Sequence, residues 1–146
     1  MAVTIGGAHC SNSTTDGDGK NRPALDVLRS RMIGFLRQEV RSWTPPALHA
    51  SLFGSAARGD GDTGSDLDLL VVRADNHRDD EAWEAQLYDS GERILAATGN
   101  RAGWFVTTPA DLRRAVQAGA PLIGEWRRDG VHLAGRRLDP ILKEAA

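Results

Sequence analysis

The sequence is poor in several features that would place it in a particular class of protein. Its single cysteine, Cys10, cannot pair within the chain, so we expect a reducing, cytoplasmic environment. No apolar run approaches the roughly 18 residues that span a membrane, and the N-terminus lacks the basic start and apolar stretch of an export signal. These absences argue against a membrane protein and against a secreted protein stabilised by disulfides.

A strong charge of either sign is also absent. The chain has 18 Lys and Arg residues against 20 Asp and Glu residues, a formal net charge of −2. Proteins that hold nucleic acid by its phosphates usually carry a basic excess or a basic stripe. The arginine pairs at 113–114, 127–128 and 136–137 are most simply solvated surface, with a docking surface for an acidic partner as the alternative. We therefore expect no nucleic-acid polymer as a partner.

The 146 residues, 40% of them hydrophobic, suffice for one compact domain. Residues 1–21 are rich in Gly, Ser, Thr, Asp and Asn, and they have too few apolar side chains to offset the entropy of ordering them. This composition predicts a disordered N-terminal tail. His9 and Cys10 lie in it without further ligands at a spacing typical of zinc sites. Residues 22–146 are expected to form the domain.

The remaining chain alternates between helical and strand-like patterns. Apolar residues recur every three or four positions from Pro23 to Trp43, which predicts an amphipathic helix. Further helices are expected after Asp80 and after Thr108, and a helical turn is expected around residues 122–126. Strands are predicted at about residues 47–53, 66–72, 102–107 and 131–133. This alternation predicts an α+β fold with a small mixed β-sheet flanked by helices.

The second predicted strand carries the residues with the clearest chemistry. Asp66 and Asp68 are two positions apart, so both side chains leave the same face of a strand. The apolar residues that alternate with them leave the other face and can fill the core. Adjacent carboxylates repel each other unless a positive charge lies between them. Mg²⁺ suits such a pair, because it prefers few carboxylates together with phosphate oxygens and water.

The loop predicted at residues 54–65 supplies the second half of a candidate site, with groups that can bind phosphate oxygens. Gly54 directly follows a strand, where a glycine lets backbone amides approach a ligand closely, and the Ser55 hydroxyl can bond a phosphate oxygen. A helical turn beginning there would add free N–H groups as an anion site. Arg58 can reach a phosphate in this arrangement, or it is simply a surface residue.

The two halves stand at a recognisable spacing. Gly54-Ser55, ten residues and then Asp66-x-Asp68, between two apolar strands, resemble the signature of the nucleotidyltransferase superfamily related to DNA polymerase β. The chain is most similar to its short bacterial members, the minimal nucleotidyltransferases (MNT). The resemblance implies a nucleotidyltransferase fold, with Asp66 and Asp68 as catalytic residues and Mg²⁺ ligands. It also implies that Gly54, Ser55 and Arg58 bind a nucleoside triphosphate, with ATP as the expected substrate.

The sequence departs from this family pattern at one position. The family places a third carboxylate on a following strand, where it helps to activate the attacking hydroxyl, and the expected position here falls near Gly103. The nearest acids downstream are Asp111, interpreted as a first-turn residue of a helix, and Glu125, interpreted as an exposed helical acid. Three explanations remain open: catalysis without this base, an acid from elsewhere or from a partner, or a site that binds nucleotide without turnover.

Two hypotheses of different classes follow. In the first, a Mg²⁺-dependent enzyme moves a nucleoside monophosphate, expected to be AMP from ATP, to a hydroxyl of a protein or a small molecule. The resemblance implies one setting for this enzyme, since short bacterial members act as antitoxins that modify a helical toxin of the HEPN class. Antibiotic-modifying members usually have an extra substrate domain, for which this chain lacks length. In the second hypothesis the chain is a binding module that neutralises or scaffolds a partner, and nucleotide binding is vestigial or regulatory.

Overall fold

The computed structural model describes residues 18–59, 66–77 and 80–145. The elements in chain order are α1 (Asp18–Arg41), β1 (His49–Phe53), α2 (Gly54–Arg58), β2 (Leu67–Val72), α3 (Glu81–Thr98), β3 (Ala102–Thr107), α4 (Pro109–Gln117), α5 (Pro121–Asp129), β4 (Val131–Gly135) and α6 (Leu138–Ala145). A short 3-10 turn at Asp75–His77 follows β2. Within these ranges, no helix combines the length and the apolar character needed to cross a membrane.

The four strands form one mixed sheet in the order β3-β2-β1-β4. β1 is antiparallel to both β2 and β4, whereas β2 is parallel to β3. In these ladders Asp68 lies between Phe53 of β1 and Gly103 of β3. The predicted α+β class, a small mixed sheet flanked by helices, is confirmed. The pairing also brings together the strand ends that carry the predicted site.

Helices cover both faces of the sheet. On one face, α1 and α3 pack over a core that includes Leu36, Leu52, Leu69, Trp83, Ile94 and Leu133. On the other face, α4, α5 and α6 pack over Phe53, Leu70, Val72, Leu112, Trp126, Ile141 and Leu142. Because β2 is buried on both faces, it continues after Asp68 as an unbroken apolar run.

The helices that flank β3 begin after Asp80 and Thr108, as expected, and each of these two residues caps its helix. The Asp80 side chain accepts a hydrogen bond from the backbone N–H of Ala82 at 2.9 Å and so caps α3. α3 ends at Gly99, which has the left-handed backbone (φ 79°) typical of a helix C-cap. Thr108 caps α4 by accepting a hydrogen bond from the N–H of Asp111 at 3.2 Å. These caps fix where β3 begins and ends.

Several elements differ from the expectations. α1 begins at Asp18, before Pro23, so residues 18–21 of the predicted tail are helical, and the rest of that tail lies outside the described residues. The loop predicted at residues 54–65 opens with α2, the helical turn that the sequence left open there. α5 extends to Asp129 and is longer than the predicted turn.

The C-terminal helix α6 is not predicted by the sequence pattern, because Pro140 interrupts it. This proline is the third residue of the helix, where its missing N–H costs no intrahelical hydrogen bond. Beyond it, Ile141 and Leu142 are buried against the sheet. Burial of this apolar edge stabilises a helix that is too short to be stable alone.

A buried polar network joins α1 to α3. The indole N–H of Trp43 donates to Oγ of Ser90 at 2.6 Å, and this hydroxyl donates to Oε2 of Glu39 at 2.5 Å. Arg93 donates two hydrogen bonds to the same carboxylate oxygen, at 2.6 and 2.9 Å. Burial alone would raise the pKa of Glu39, but the hydrogen bonds from Arg93 and Ser90 outweigh it and lower this pKa. The network fixes the two helices that support one face of the sheet.

Ser90→Ala is expected to lower the free energy of unfolding by about 1–3 kcal/mol, because the Trp43 indole and the Glu39 carboxylate each lose a buried partner. Urea denaturation measures the change. Ser30→Ala, on an exposed position of α1, is the control and should change stability by less than about 0.5 kcal/mol. Equal effects of the two substitutions would contradict the role of the network.

Candidate functional site

The bend after β1 is shaped by a glycine. Gly54 opens α2 with a φ of +75°, a left-handed conformation that L side chains rarely adopt. The carboxylate of Asp68 lies directly against it: a Cβ placed on Gly54 would collide with Oδ2 of Asp68 and would lie 3.2 Å from its Cγ. Phe53, just before the bend, pairs with Asp68 in the sheet. The bend and the second aspartate are therefore in contact.

Asp66 lies beside Asp68 at the start of β2. Both acids are close to Gly103 of the neighbouring strand β3. A Cβ placed on Gly103 would lie 3.6 Å from Oδ1 of Asp68 and 3.8 Å from Cβ of Asp66. Both acids thus flank the same point on β3, as expected for residues two apart on a strand. Asp66 is exposed and Asp68 is half-buried, so the pair opens to solvent on the side of Asp66.

Among the described residues, negative charge and burial dominate the electrostatic environment of Asp68. Burial raises the pKa of the Asp68 carboxyl, and the negative charges of Asp66 and then Glu125 raise it further. Arg58 opposes these effects by a smaller amount. Ionised Asp68 is therefore held in a position where a bound cation would stabilise it.

The helix α5 borders the bend on one side. The rings of Phe53 and Trp126 are in edge contact, with centroids 6.0 Å apart. Nη1 of Arg58 lies 3.4 Å from Oδ2 of Asp129, and the Arg58 side chain is 44% exposed. Arg58 is thus a surface residue, in line with one of the two interpretations from the sequence, and its positive charge opposes the raised pKa of Asp68. Its contact with a phosphate stays a prediction.

β3 brings no third carboxylate to the site. Gly103 pairs with Asp68, and Phe105, the next residue on that face of β3, pairs with Leu70. The strand register therefore places Gly103 beside Asp68, and the family resemblance implies a third carboxylate near this position. Asp111 lies in the first turn of α4 and pairs with Arg114, as interpreted from the sequence.

Glu125 differs from its interpretation as an exposed helical acid. It is half-buried on α5, and its charge contributes to the raised pKa of Asp68. The sequence contains a signal for this placement, since Glu125 and Asp129 are one helical turn apart and therefore share a helix side. That signal becomes useful only once α5 is known to extend to Asp129.

The donor set of the pair suits a hard cation. Asp66 and Asp68 offer carboxylate oxygens, and in the part of the chain that the structure describes no three His, Cys, Asp or Glu side chains are grouped to hold a metal. A cation here would complete its shell with phosphate and water oxygens, a preference typical of Mg²⁺ and not of structural Zn²⁺. The residues present therefore fit Mg²⁺ bound together with a triphosphate.

An open groove of about 680 Å³ lies between α3 and the edge strand β3, and Asp66, but not Asp68, is among the residues that line it. Asp66 and Arg101 line its end near the acids, and Tyr88, Trp104 and Val106 line the rest. The groove lies on the α3 face of β3, because Trp104 and Val106 alternate with Gly103, the residue that pairs with Asp68, so Asp66 is its only link to the pair.

A sequence model of the nucleotidyltransferase domain matches residues 34–117, more than half of the chain. The matched range contains β1, the bend at Gly54, both aspartates and β3. The protein therefore belongs to the nucleotidyltransferase domain family. No curated protein matches the sequence.

Two solved structures align with the chain. One is the complex of tri-AMPylated Shewanella oneidensis HEPN toxin with MNT antitoxin, at 18% identity over 80% of this chain and 82% of that chain, with a TM-score of 0.48. The other is a toxin–antitoxin complex with AMP-PNP, at 22% identity over 80% of this chain and 82% of that chain, with a TM-score of 0.47. We base the family assignment on the sequence match alone.

Gly54→Ala is expected to lower the free energy of unfolding by about 2–4 kcal/mol, because it adds a collision with Asp68 to the strain of a left-handed backbone. Gly119→Ala is a matched control: Gly119 has a φ of +68°, and a Cβ there would meet nothing within 4 Å. The control should cost only the backbone strain, about 1–2 kcal/mol. Chemical denaturation of both variants measures the difference, and equal losses would contradict the contact between Gly54 and Asp68.

Asp68→Asn is expected to raise the Tm at neutral pH in metal-free buffer. Because the folded-state pKa of Asp68 is raised above its ordinary value of 3.8, ionisation destabilises the fold fully above the folded pKa and not at all below the ordinary value. The gain should be at most about 2–4 °C, since the group is only partly buried, and it should shrink as the pH falls. Thermal scans at several pH values, with the exposed Asp26→Asn as control, test this. A Tm at or below that of the unmodified protein at neutral pH would contradict it.

Proposed function

We propose that the protein is a Mg²⁺-dependent nucleotidyltransferase that moves a nucleoside monophosphate, AMP from ATP, to a hydroxyl of a protein or a small molecule. The observation that carries this proposal is the contact between the Asp68 carboxylate and Gly54, with Asp66 alongside. This contact supports the proposal, because one metal–triphosphate complex beside it would touch both halves of the motif. Membership of the nucleotidyltransferase domain family supports the same reaction class.

Each residue of the motif has a distinct role in this proposal. Asp66 and Asp68 hold the cation through their carboxylate oxygens. Gly54 leaves the bend without a side chain, so that the triphosphate can approach the backbone, and the Ser55 hydroxyl donates to a phosphate oxygen. Arg58, at the end of α2, is a further phosphate contact. When bound, the cation neutralises charge on the triphosphate and on the departing pyrophosphate.

The acceptor is proposed from the resemblance to short bacterial members of the family. These act as antitoxins on a helical toxin of the HEPN class, and we place the present protein in such a cytoplasmic pair. The end of the pair at Asp66 offers an entry for the acceptor side chain, because Asp66 is exposed to solvent. A free small molecule with a hydroxyl group would use the same entry.

A binding module is the second candidate, and Gly103 is the observation that favours it. The position on β3 that pairs with Asp68 carries no acid, so the strand lacks the group that would take the proton of an attacking hydroxyl. In this case the chain acts on its partner by contact, and bound nucleotide has a regulatory role or none.

Asp66→Asn and Asp68→Asn are each expected to lower the rate of nucleotidyl transfer by about 10³-fold or more, because each removes a ligand that stabilises charge in the transition state. The assay follows label from ATP marked at the α-phosphate to the protein encoded beside this one, with Mg²⁺ present. Asp89→Asn, an exposed acid on α3, controls for the loss of one negative charge. The binding module would be supported instead if no label moves and both variants bind the partner as well as the unmodified chain.

A further inference from the structure

The strand β3 lies at one edge of the sheet, and no strand among the described residues lies on its other side. Alternate residues of β3 bond to β2: the N–H of Leu67 donates to the carbonyl of Arg101 at 2.8 Å, and the N–H of Arg73 donates to the carbonyl of Thr107 at 2.9 Å. In a parallel ladder the residues between these turn their N–H and C=O groups to the other side. The residues that present backbone groups at the open edge are Ala102, Trp104 and Val106.

The side chains of the same three residues form one wall of the groove between β3 and α3. Leu87 and Leu95 line the groove from α3. Gly91 lies between them without a side chain, and a Cβ there would be 3.5 Å from the indole nitrogen of Trp104. An apolar groove therefore adjoins the open edge of the sheet. A strand placed beside β3 would direct alternate side chains into this groove.

A row of exposed side chains on α3 borders the groove. Glu84, Tyr88 and Glu92 are four residues apart, so they lie along one side of the helix, and all three line the groove. Tyr88 is 67% exposed. The Glu84 carboxylate accepts a hydrogen bond from Arg73 at 3.4 Å, yet its side chain remains 68% exposed. An aromatic ring between two accessible carboxylates is thus presented beside the edge of the sheet.

The charge of the groove indicates the kind of partner. Its charged lining residues are three acids, Asp66, Glu84 and Glu92, and one base, Arg101. A second copy of this chain would bring the same acids against them, and like charges across an interface oppose association. A basic segment of another protein has the complementary charge.

The spacing of the row indicates the pattern of that segment. Glu84 and Glu92 are about 12 Å apart along the helix axis, and side chains four residues apart on one face of a strand are about 13 Å apart. We propose that the edge of β3 and this groove bind an extended segment of a partner protein with the pattern basic–x–apolar–x–basic. The segment adds a strand to the sheet, and its two basic side chains pair with Glu84 and Glu92. The apolar side chain between them packs on Tyr88 and over Gly91.

Synthetic peptides test the charge pattern. The basic peptide is Thr-Lys-Thr-Ile-Thr-Lys-Thr, labelled with fluorescein, and the acidic peptide has glutamate in place of both lysines. Fluorescence anisotropy with the full chain should show the basic peptide binding at least about 10-fold more tightly than the acidic one. Glu84→Lys combined with Glu92→Lys should reverse this preference. Asp26→Lys combined with Asp89→Lys makes the same change in net charge at exposed positions outside the groove, and it should leave the preference in place.

Backbone pairing is tested with no change to the protein. In an added strand alternate N–H groups point towards β3 and away from it. Methylation of one alternate set of nitrogens in the basic peptide should therefore weaken binding at least about 10-fold, whereas methylation of the other set should change it little. Equal effects of the two sets would overturn the addition of a strand.

The remaining outcomes decide the occupant of the groove. Binding of the basic peptide no tighter than that of the acidic one would overturn the inference, and so would an unchanged preference after Glu84→Lys with Glu92→Lys. Sedimentation of the chain alone tests for a second copy. Self-association that the same two substitutions abolish would assign the groove to that copy and overturn the basic partner. Each of these results leaves the proposed nucleotidyl transfer standing, because neither glutamate belongs to the motif of Gly54 and Asp68.

Discussion

The contact between the Asp68 carboxylate and Gly54 determines the arrangement of the whole site. The carboxylate occupies the space that a side chain on Gly54 would need, so Gly54 cannot carry a side chain while Asp68 keeps its position. The same contact requires β1 and β2 to be paired in one register, because Phe53 faces Asp68 across the ladder. A shift of one residue would turn Asp68 to the opposite face of the sheet. The contact between Gly54 and the Asp68 carboxylate therefore depends on the β1–β2 register and also determines the geometry of the candidate site.

Two repelling acids are held in place because the strand that follows them is tightly packed. Asp66 and Asp68 stand at the exposed end of β2, and the strand continues into Leu69, Leu70, Val71 and Val72, all of them almost completely buried. The apolar run ties the strand to both layers of helices, so the acids cannot separate to relieve their repulsion. Such preorganisation is what a metal–nucleotide site needs, since the ligands are already positioned when the charge arrives.

The parts of the fold and site that could be predicted from the sequence are those governed by local rules. The alternation along β2, the caps at Asp80 and Thr108 and the glycine at the bend all depend on neighbours a few residues away. The spacing from Gly54 to Asp68 is similarly local, because β1 and β2 are consecutive strands. These features yielded the fold class and the pairing of the two halves of the motif.

The features that escaped prediction depend on contacts between distant segments. Glu125 is half-buried only because α5 packs beside α2 and against the sheet, which the spacing of residues within α5 does not reveal by itself. α6 is stabilised by burial of Ile141 and Leu142 against strands far back in the chain, while Pro140 hides its pattern. In both cases tertiary packing decides the outcome, and local propensity carries little information.

The position of β4 has a consequence for where this domain ends. The recognisable family segment stops at residue 117, yet β4 pairs with β1 on the side away from β2, and α5 and α6 cover Phe53 and Leu70. A fragment cut at residue 117 would leave β1 as a bare sheet edge beside an uncovered apolar face, a combination that favours aggregation. Residues 118–145 thus cover the core and form one wall of the site, so a fragment limited to the matched segment would lose both.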